Sequence, residues 1–366
     1  MRAKIFWVNG ASRNYGDIAL VRSMEKLLRE YSRYDLAFET IDLKSPKPID
    51  AKLVERINAE GDMLLVGGGG LFMRGDGFYT RSGWQFNISR TDLDMLNVPL
   101  VCWSLGYNVF PGDRQGLGHG AWQHIQTTYE MADLFSVRDL GTADELRNRG
   151  IGPVEIVPDP AVLCKGLPMI LYVDQSLPII GVNWAGDRTG IRHVSNDPTF
   201  AMSWLCQAIK RYFADYGGGV VVPLPHVSLY DQEPWKALTT LLGEKYVYPV
   251  FEEHPELMPE SERGFETLLN LYGSVNQTVG MRGHANILSL AALTPYTAYG
   301  EHQKNRYFVE DTNGVLCIPG KDDLVSALHA NSYPNCEDRI VEMSNLTLVM
   351  ERVLVDFTKR VVALLG

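Results

Sequence analysis

Short apolar runs alternate with amphipathic stretches along most of the chain. In the first half the runs fall at 4–8, 37–43, 63–66, 100–103, 134–137 and 155–157. Each enters a turn rich in Gly, Asn or Asp, and a 3.6-residue pattern follows, clearest in DIALVRSMEKLLREYS and TADELRNRG. This alternation predicts βαβ units, and hence a parallel sheet covered by helices on both faces. The period fades over LCKGLPMILYVDQSLP, where prolines interrupt any helix, so the crossing between two domains is expected there. Beyond it the alternation restarts with PIIGVNWAG, a helix near 198–216, GVVVPLPH, a helix over 230–242 and a strand near 246–250. A helix in SERGFETLLNLYG, the strand SVNQTVGM, the helix HANILSLAAL and the strands TPYTAYG and GVLCIPG complete it. The expected fold class is α/β, with two Rossmann-like doubly wound domains (1–165 and 176–335) facing a cleft. The segment 336–366 is helical in period and is expected to pack back on the first domain.

Composition narrows the function. A chain of 366 residues exceeds what one core usually holds, and 45% hydrophobic with 21% charged residues is ordinary globular composition. A formal net charge of −10 without any Lys/Arg block argues against nucleic acid and against an anionic membrane surface. No apolar stretch approaches the roughly 20 residues that span a bilayer, so membrane contact is expected to be peripheral at most. The opening MRAKIFWVNG lacks the apolar run of a secretory signal, and a cytoplasmic protein is expected. Cys102, Cys164, Cys206, Cys317 and Cys336 are scattered without C-x-x-C spacing, so neither a disulfide frame nor a zinc site is expected.

The turns that follow the strands carry the chemistry. In NYGD, Asn14 and Gly16 permit a tight turn and Asp17 sits where a helix cap belongs. The glycines 67–70 follow an apolar run and read as a loop whose backbone N–H groups approach a ligand closely, Gly68, Gly69 and Gly70 among them. Arg138 and Asp139 are expected at a strand edge on opposite faces, and Asp159, between two prolines, reads as a structural hinge. Arg282 and His284 fall where a strand meets an apolar helix, a place that offers unpaired N–H donors and a positive dipole end to a phosphate or carboxylate. Lys304, with His302 beside it, leaves a neighbouring strand edge, and His226 and Asp231 occupy another cleft-facing loop.

In order and spacing, NYGD (14–17), GGGG (67–70), VRD (137–139), DP (159–160), RGHA (282–285) and Lys304 resemble the polysaccharide pyruvyl transferase family. The resemblance implies a fold like that of the bilobed, GT-B-like glycosyltransferases. It also implies transfer of the pyruvyl part of phosphoenolpyruvate to two hydroxyls of one sugar, giving a cyclic ketal and phosphate. Arg138, Arg282, His284 and Lys304 would then surround phosphoenolpyruvate, with His284, Arg282 and Arg138 catalytic and no metal or further cofactor. The candidates for acceptor contact are Asn14, Asp17, Gly68, Gly69, Gly70, Tyr107 and His226, and the acceptor would be a sugar or a lipid-linked oligosaccharide. Two departures from the family pattern, Gly283 between the Arg and the His and the segment WSLGYNVFPG, bear on the acceptor, with Tyr107, Trp103 and Trp84 expected near the cleft. A nucleotide-sugar-dependent glycosyltransferase of the same fold is the rival reading.

Overall fold

The computed structural model describes residues 1–10, 14–43, 45, 47–74, 79–113, 116–193 and 197–366. The chain alternates as its pattern predicts. The first half runs β1 (Arg2–Asn9), α1 (Tyr15–Tyr31), β2 (Asp35–Asp42), α2 (Ala51–Glu60), β3 (Met63–Phe72), α3 (Arg90–Asp94), β4 (Leu100–Tyr107), α4 (His119–Met131), β5 (Leu134–Val137), α5 (Leu140–Arg147) and β6 (Glu155–Ile156). Its strands form one parallel sheet in the order β2-β1-β3-β4-β5-β6. The second half runs β7 (Ile179–Asn183), α6 (Thr189–Arg192), α7 (Pro198–Asp215), β8 (Val220–Pro223), α8 (Ser228–Leu242), α9 (Val250–Glu253), α10 (Glu262–Tyr272), β9 (Gln277–Gly280), α11 (Gly283–Ala291), β10 (Tyr296–Tyr299), α12 (Gln303–Thr312), β11 (Val315–Cys317) and α13 (Leu324–Ala330). These strands form a second parallel sheet, β11-β10-β9-β7-β8.

The last helix, α14 (Glu337–Ala363), packs against α1 and α11. Its Phe357 ring lies 5.2 Å from that of Trp103 in β4, and Arg360 pairs with Glu155 of β6. A chain end that follows the second sheet is thus part of the first sheet's cover. One buried apolar cluster joins the two units: it runs from Trp7, Leu20 and Met24 through Val162 to Leu268, Ile287 and Phe357. Among the described residues no helix is long and apolar enough to cross a membrane.

Two local expectations fail for identifiable reasons. The apolar run near 246–250 is not a strand. Val247 makes only an isolated bridge to Val221, because Pro249 lacks the N–H a ladder needs, and α9 starts directly after it. The four glycines, expected as a loop, instead continue β3, with Gly67 opposite Trp103 and Gly69 opposite Leu105 before the register shifts. Glycine is needed there for packing. A Cβ on Gly68 would meet the Leu20 side chain of α1 at 2.9 Å, one on Gly70 would meet Asn108 at 2.7 Å, and Gly69 has a φ of 92°.

Candidate functional site

The C-terminal ends of both sheets face a common cleft of about 550 Å³. From the first unit Asn14, Asp17, Gly68, Gly70, Asn108, Phe110 and Arg138 line it, and from the second Asp187, Arg188, Arg192, Arg282, Gly283, His284 and Lys304.

The Arg282–His284 segment is fixed by two buried asparagines. Asn183, at the end of β7, accepts from the Arg282 N–H (3.0 Å) and donates to the Leu224 carbonyl (2.8 Å), while Asn305 of α12 donates to the Met281 carbonyl (2.9 Å). Arg282 therefore caps α11, as the sequence implies, and His284 lies in its first turn. The guanidinium of Arg282 is spent on carboxylates: its Nη2 lies 2.6 Å from Asp231 Oδ1 and 2.7 Å from Asp187 Oδ1. Burial opposes its charge, but these two carboxylates outweigh that and raise its proton affinity further. Asp231, fully buried, also accepts from the N–H groups of Gly186, His226 and Val227. Arg282 thus chiefly braces Asp231 and Asp187, with part of its edge in the cleft wall.

The imidazole of His284 crosses to the first unit. It rests on α1 so closely that a Cβ on Gly16 would lie 2.3 Å from its Nδ1. That nitrogen is 3.8 Å from Asp17 Oδ1, and Nε2 is 3.4 Å from Asp159 Oδ2. Asp159 is buried and also stands 3.5 Å from Arg138 Nη1. Burial disfavours its ionised form, yet His284 and Arg138 hold its carboxyl below the usual range. Arg138 in turn fits only because β4 has glycine at 106, where a Cβ would come within 2.3 Å of its Nε.

Further cations complete the wall. Arg192, pushed down to about 10 by burial and still charged at neutral pH, places Nη2 3.1 Å from Asp187, while its buried Nη1 has no partner among the described residues. Asp187 is disfavoured as an anion by burial, but Arg282, Arg192 and Lys304 hold it down at about 2. Burial, and then the neighbouring Arg192, Arg138 and Arg282, push Lys304 well below the ordinary lysine range. Among the described residues no three His, Cys, Asp or Glu side chains gather as a metal site.

Several expected positions differ from the sequence reading. Asn14, not Asp17, caps α1: its Oδ1 accepts from Gly16 N–H (2.9 Å), which leaves the Asp17 carboxylate on the cavity wall. β5 stops at Val137, so Arg138 and Asp139 do not share a pleat, and Asp139 instead caps α5 by accepting from Thr142 N–H (2.7 Å). His226 does not line the cavity. It is fully buried, with Nε2 2.8 Å from the Tyr272 hydroxyl, and its carbonyl accepts from Tyr15 N–H. Tyr107 stacks on Trp122 at 5.9 Å and does not line the cavity, and neither does Gly69. Trp84 donates to His124 in the first unit's core, and Trp103 packs on Phe357. Asp159, read as a hinge, faces His284. Asp187, Arg188 and Arg192 were missed, although GDRTGIR follows a strand just as NYGD does.

The fold recurs in solved structures. A putative UDP-N-acetylglucosamine 2-epimerase from Listeria monocytogenes is 13% identical over 94% of this chain and 91% of its own, with a TM-score of 0.58. The S. aureus MnaA–UDP co-structure is 12% identical (94% and 90% covered, TM-score 0.56), and Anabaena HepE in complex with UDP and glucose is 11% identical (99% and 98%, TM-score 0.54). These identities show the fold alone, a GT-B-like pair of parallel sheets. No curated protein matches the sequence. The family model for polysaccharide pyruvyl transferase matches residues 14–302, which span every cleft group described above except Lys304, and the chain accordingly belongs to the polysaccharide pyruvyl transferase family.

Proposed function

We propose that the cleft binds phosphoenolpyruvate and transfers its pyruvyl part to two hydroxyls of one sugar, forming a cyclic ketal and releasing phosphate. The observation that carries this reading is the charge of the wall. Among the described residues four arginines (Arg138, Arg188, Arg192 and Arg282) and Lys304 line the wall beside two carboxylates (Asp17 and Asp187), with Asp139, Asp159 and Asp231 paired behind Arg138 and Arg282, in a chain whose net charge is −10. Such a local reversal suits a small polyanion, and phosphoenolpyruvate carries both a phosphate and a carboxylate.

In this reading Arg138, Arg192 and Lys304 hold the donor, braced by Arg282 and Asp187. The methylene carbon C3 takes up a proton and becomes a methyl group, and the cation left at C2 is attacked by a sugar hydroxyl. His284, beside Asp17, accepts that hydroxyl's proton. Phosphate leaves with the electrons of its C2–O bond, and the second hydroxyl closes the ketal. Of the two hydroxyl protons, one replaces the proton spent on C3 and the other leaves with phosphate. The acceptor lies on the Asn14, Asp17, Gly68 and Gly70 side.

The test is incubation with phosphoenolpyruvate and a panel of galactose-, glucose-, mannose- and N-acetylhexosamine-terminated glycans, reading phosphate release and the ketal methyl signal by proton NMR. Phosphate and ketal in equal amounts support the reading. Turnover of UDP-sugars on the same panel, with release of UDP and none of phosphate from phosphoenolpyruvate, overturns it in favour of glycosyl transfer.

A further inference from the structure

We propose that Asp159 is a positioning residue for His284. It receives the Nε2–H of the ring and so leaves Nδ1, on the Asp17 side, as the nitrogen that takes the acceptor hydroxyl's proton. The proposal deepens the pyruvyl-transfer reading and rests on it for the identity of the hydroxyl.

The two ring nitrogens have different surroundings. Nε2 is buried, has no hydrogen-bond partner that meets normal geometry, and lies 3.4 Å from Asp159 Oδ2; that oxygen is equally buried and makes no hydrogen bond, its other charged neighbour being Arg138 Nη1 at 3.5 Å. Distances of this kind between catalytic groups shorten when substrates bind. Nδ1 faces Asp17, whose side chain is 32% exposed on the cavity wall.

The carboxylate is held in place by the main chain. Its Oδ1 accepts from Ala161 N–H (3.1 Å). The preceding residues are gripped by Ser104, a buried residue in a left-handed conformation (φ 50°), whose hydroxyl lies 2.9 Å from the Val157 carbonyl and 3.0 Å from that of Pro158. Strained serine backbone at this point of β4 is accounted for if the turn it holds must present Asp159 at a fixed place. A counterion for Arg138 alone would need no such care, because Asp139 already lies 3.2 Å from its Nε.

In this arrangement Nε2 carries its proton toward Asp159 and leaves Nδ1 as the accepting nitrogen. When the acceptor oxygen forms its bond to C2, the hydroxyl proton moves to Nδ1, and the resulting imidazolium is stabilised by the Asp159 carboxylate, which stays ionised. The charged and titratable groups around the ring are Asp17 from α1, Asp159 and Arg138 from the first sheet's edge, Arg282 at the start of its own helix, Lys304 from α12, and the buried His226.

The tautomer can be read without substrate. In 15N-labelled protein the long-range 15N–1H spectrum resolves the eight histidines, and His284→Gln assigns the relevant one. We expect the Nε2–H form in the parent; a dominant Nδ1–H form overturns the proposal whatever the enzyme's reaction. In Asp159→Asn the ring should lose its tautomer preference. kcat should fall by roughly a hundredfold to ten-thousandfold, phosphoenolpyruvate affinity should stay within about threefold, and the acidic limb of the kcat profile should move to lower pH as the neighbouring charge disappears. An unchanged tautomer and pH profile, or a defect confined to KM for phosphoenolpyruvate, overturns it. Failure of pyruvyl transfer in the parent, with the Nε2–H tautomer in place, would fall on the functional reading instead.

Discussion

Gly16 carries no side chain because the imidazole of a residue far along the chain occupies the space. A Cβ there would sit 2.3–2.4 Å from Nδ1, Cβ and Cγ of His284. The site is helical, so alanine would by itself favour α1 by about 0.5–1 kcal/mol. Overpacking against the ring's Cβ and Cγ costs about 1–3 kcal/mol and outweighs that gain, so Gly16→Ala should lose some melting temperature, while kcat drops by roughly a hundredfold, the loss a misplacement of about 1 Å brings. Parental kcat in that variant would mean that the ring's seat on α1 is irrelevant to turnover. The sequence reading saw the glycine and explained it by the turn. Its actual reason is a contact across the cleft, which a single chain's local pattern does not carry. The same blindness made Asp159 look like a hinge: the prolines beside it are local, whereas His284 and Arg138 reach it only through the fold.

At the scale of elements, the start of α11 was legible and its wiring was not. The change from an alternating pattern to HANILSLAAL marks the junction, and Arg282 and His284 stand there. That Arg282 is spent on Asp231 and Asp187 could not be read, since those carboxylates come from α8 and from the loop after β7. Arg282→Ala should therefore act on stability before it acts on binding. Removing one partner of a buried ion pair costs about 3–5 kcal/mol, here by leaving Asp231 at zero exposure without its cation. Equilibrium urea unfolding should show the loss; a change below about 1 kcal/mol with weakened phosphoenolpyruvate binding would return Arg282 to a simple ligand role. Pro249 and the glycines of β3 show the converse error. Periodicity alone predicted a strand that proline forbids and a loop that packing against Leu20 makes into a strand.

For the whole molecule, the two-sheet architecture followed from the repeated strand–helix grammar, while the contact between its halves did not. The halves meet on specific groups: Tyr307 of α12 lies so close to α5 that a Cβ on Gly141 would come within 2.1 Å of its ring, and Asp311 of the same helix accepts from Leu140 N–H at 3.0 Å. Burial, joined by Asp139 and Glu310, raises the Asp311 carboxyl to about 6, against the lowering effect of Leu140. The folded protein thus keeps a proton that the unfolded chain gives up near its ordinary value of 3.8, so this group's contribution falls as pH rises from about 4 to 6. Asp311→Asn should gain melting temperature relative to the parent across that window, and a constant difference between the two would contradict the raised value. The central claim is that this GT-B-like cleft is built for phosphoenolpyruvate, and thermal unfolding with that ligand beside UDP-N-acetylglucosamine tests it most directly. At a hundred times its Kd, phosphoenolpyruvate should stabilise the protein by about 2.7 kcal/mol, and the nucleotide sugar should leave it unchanged. Stabilisation by UDP-N-acetylglucosamine and none by phosphoenolpyruvate would contradict the account.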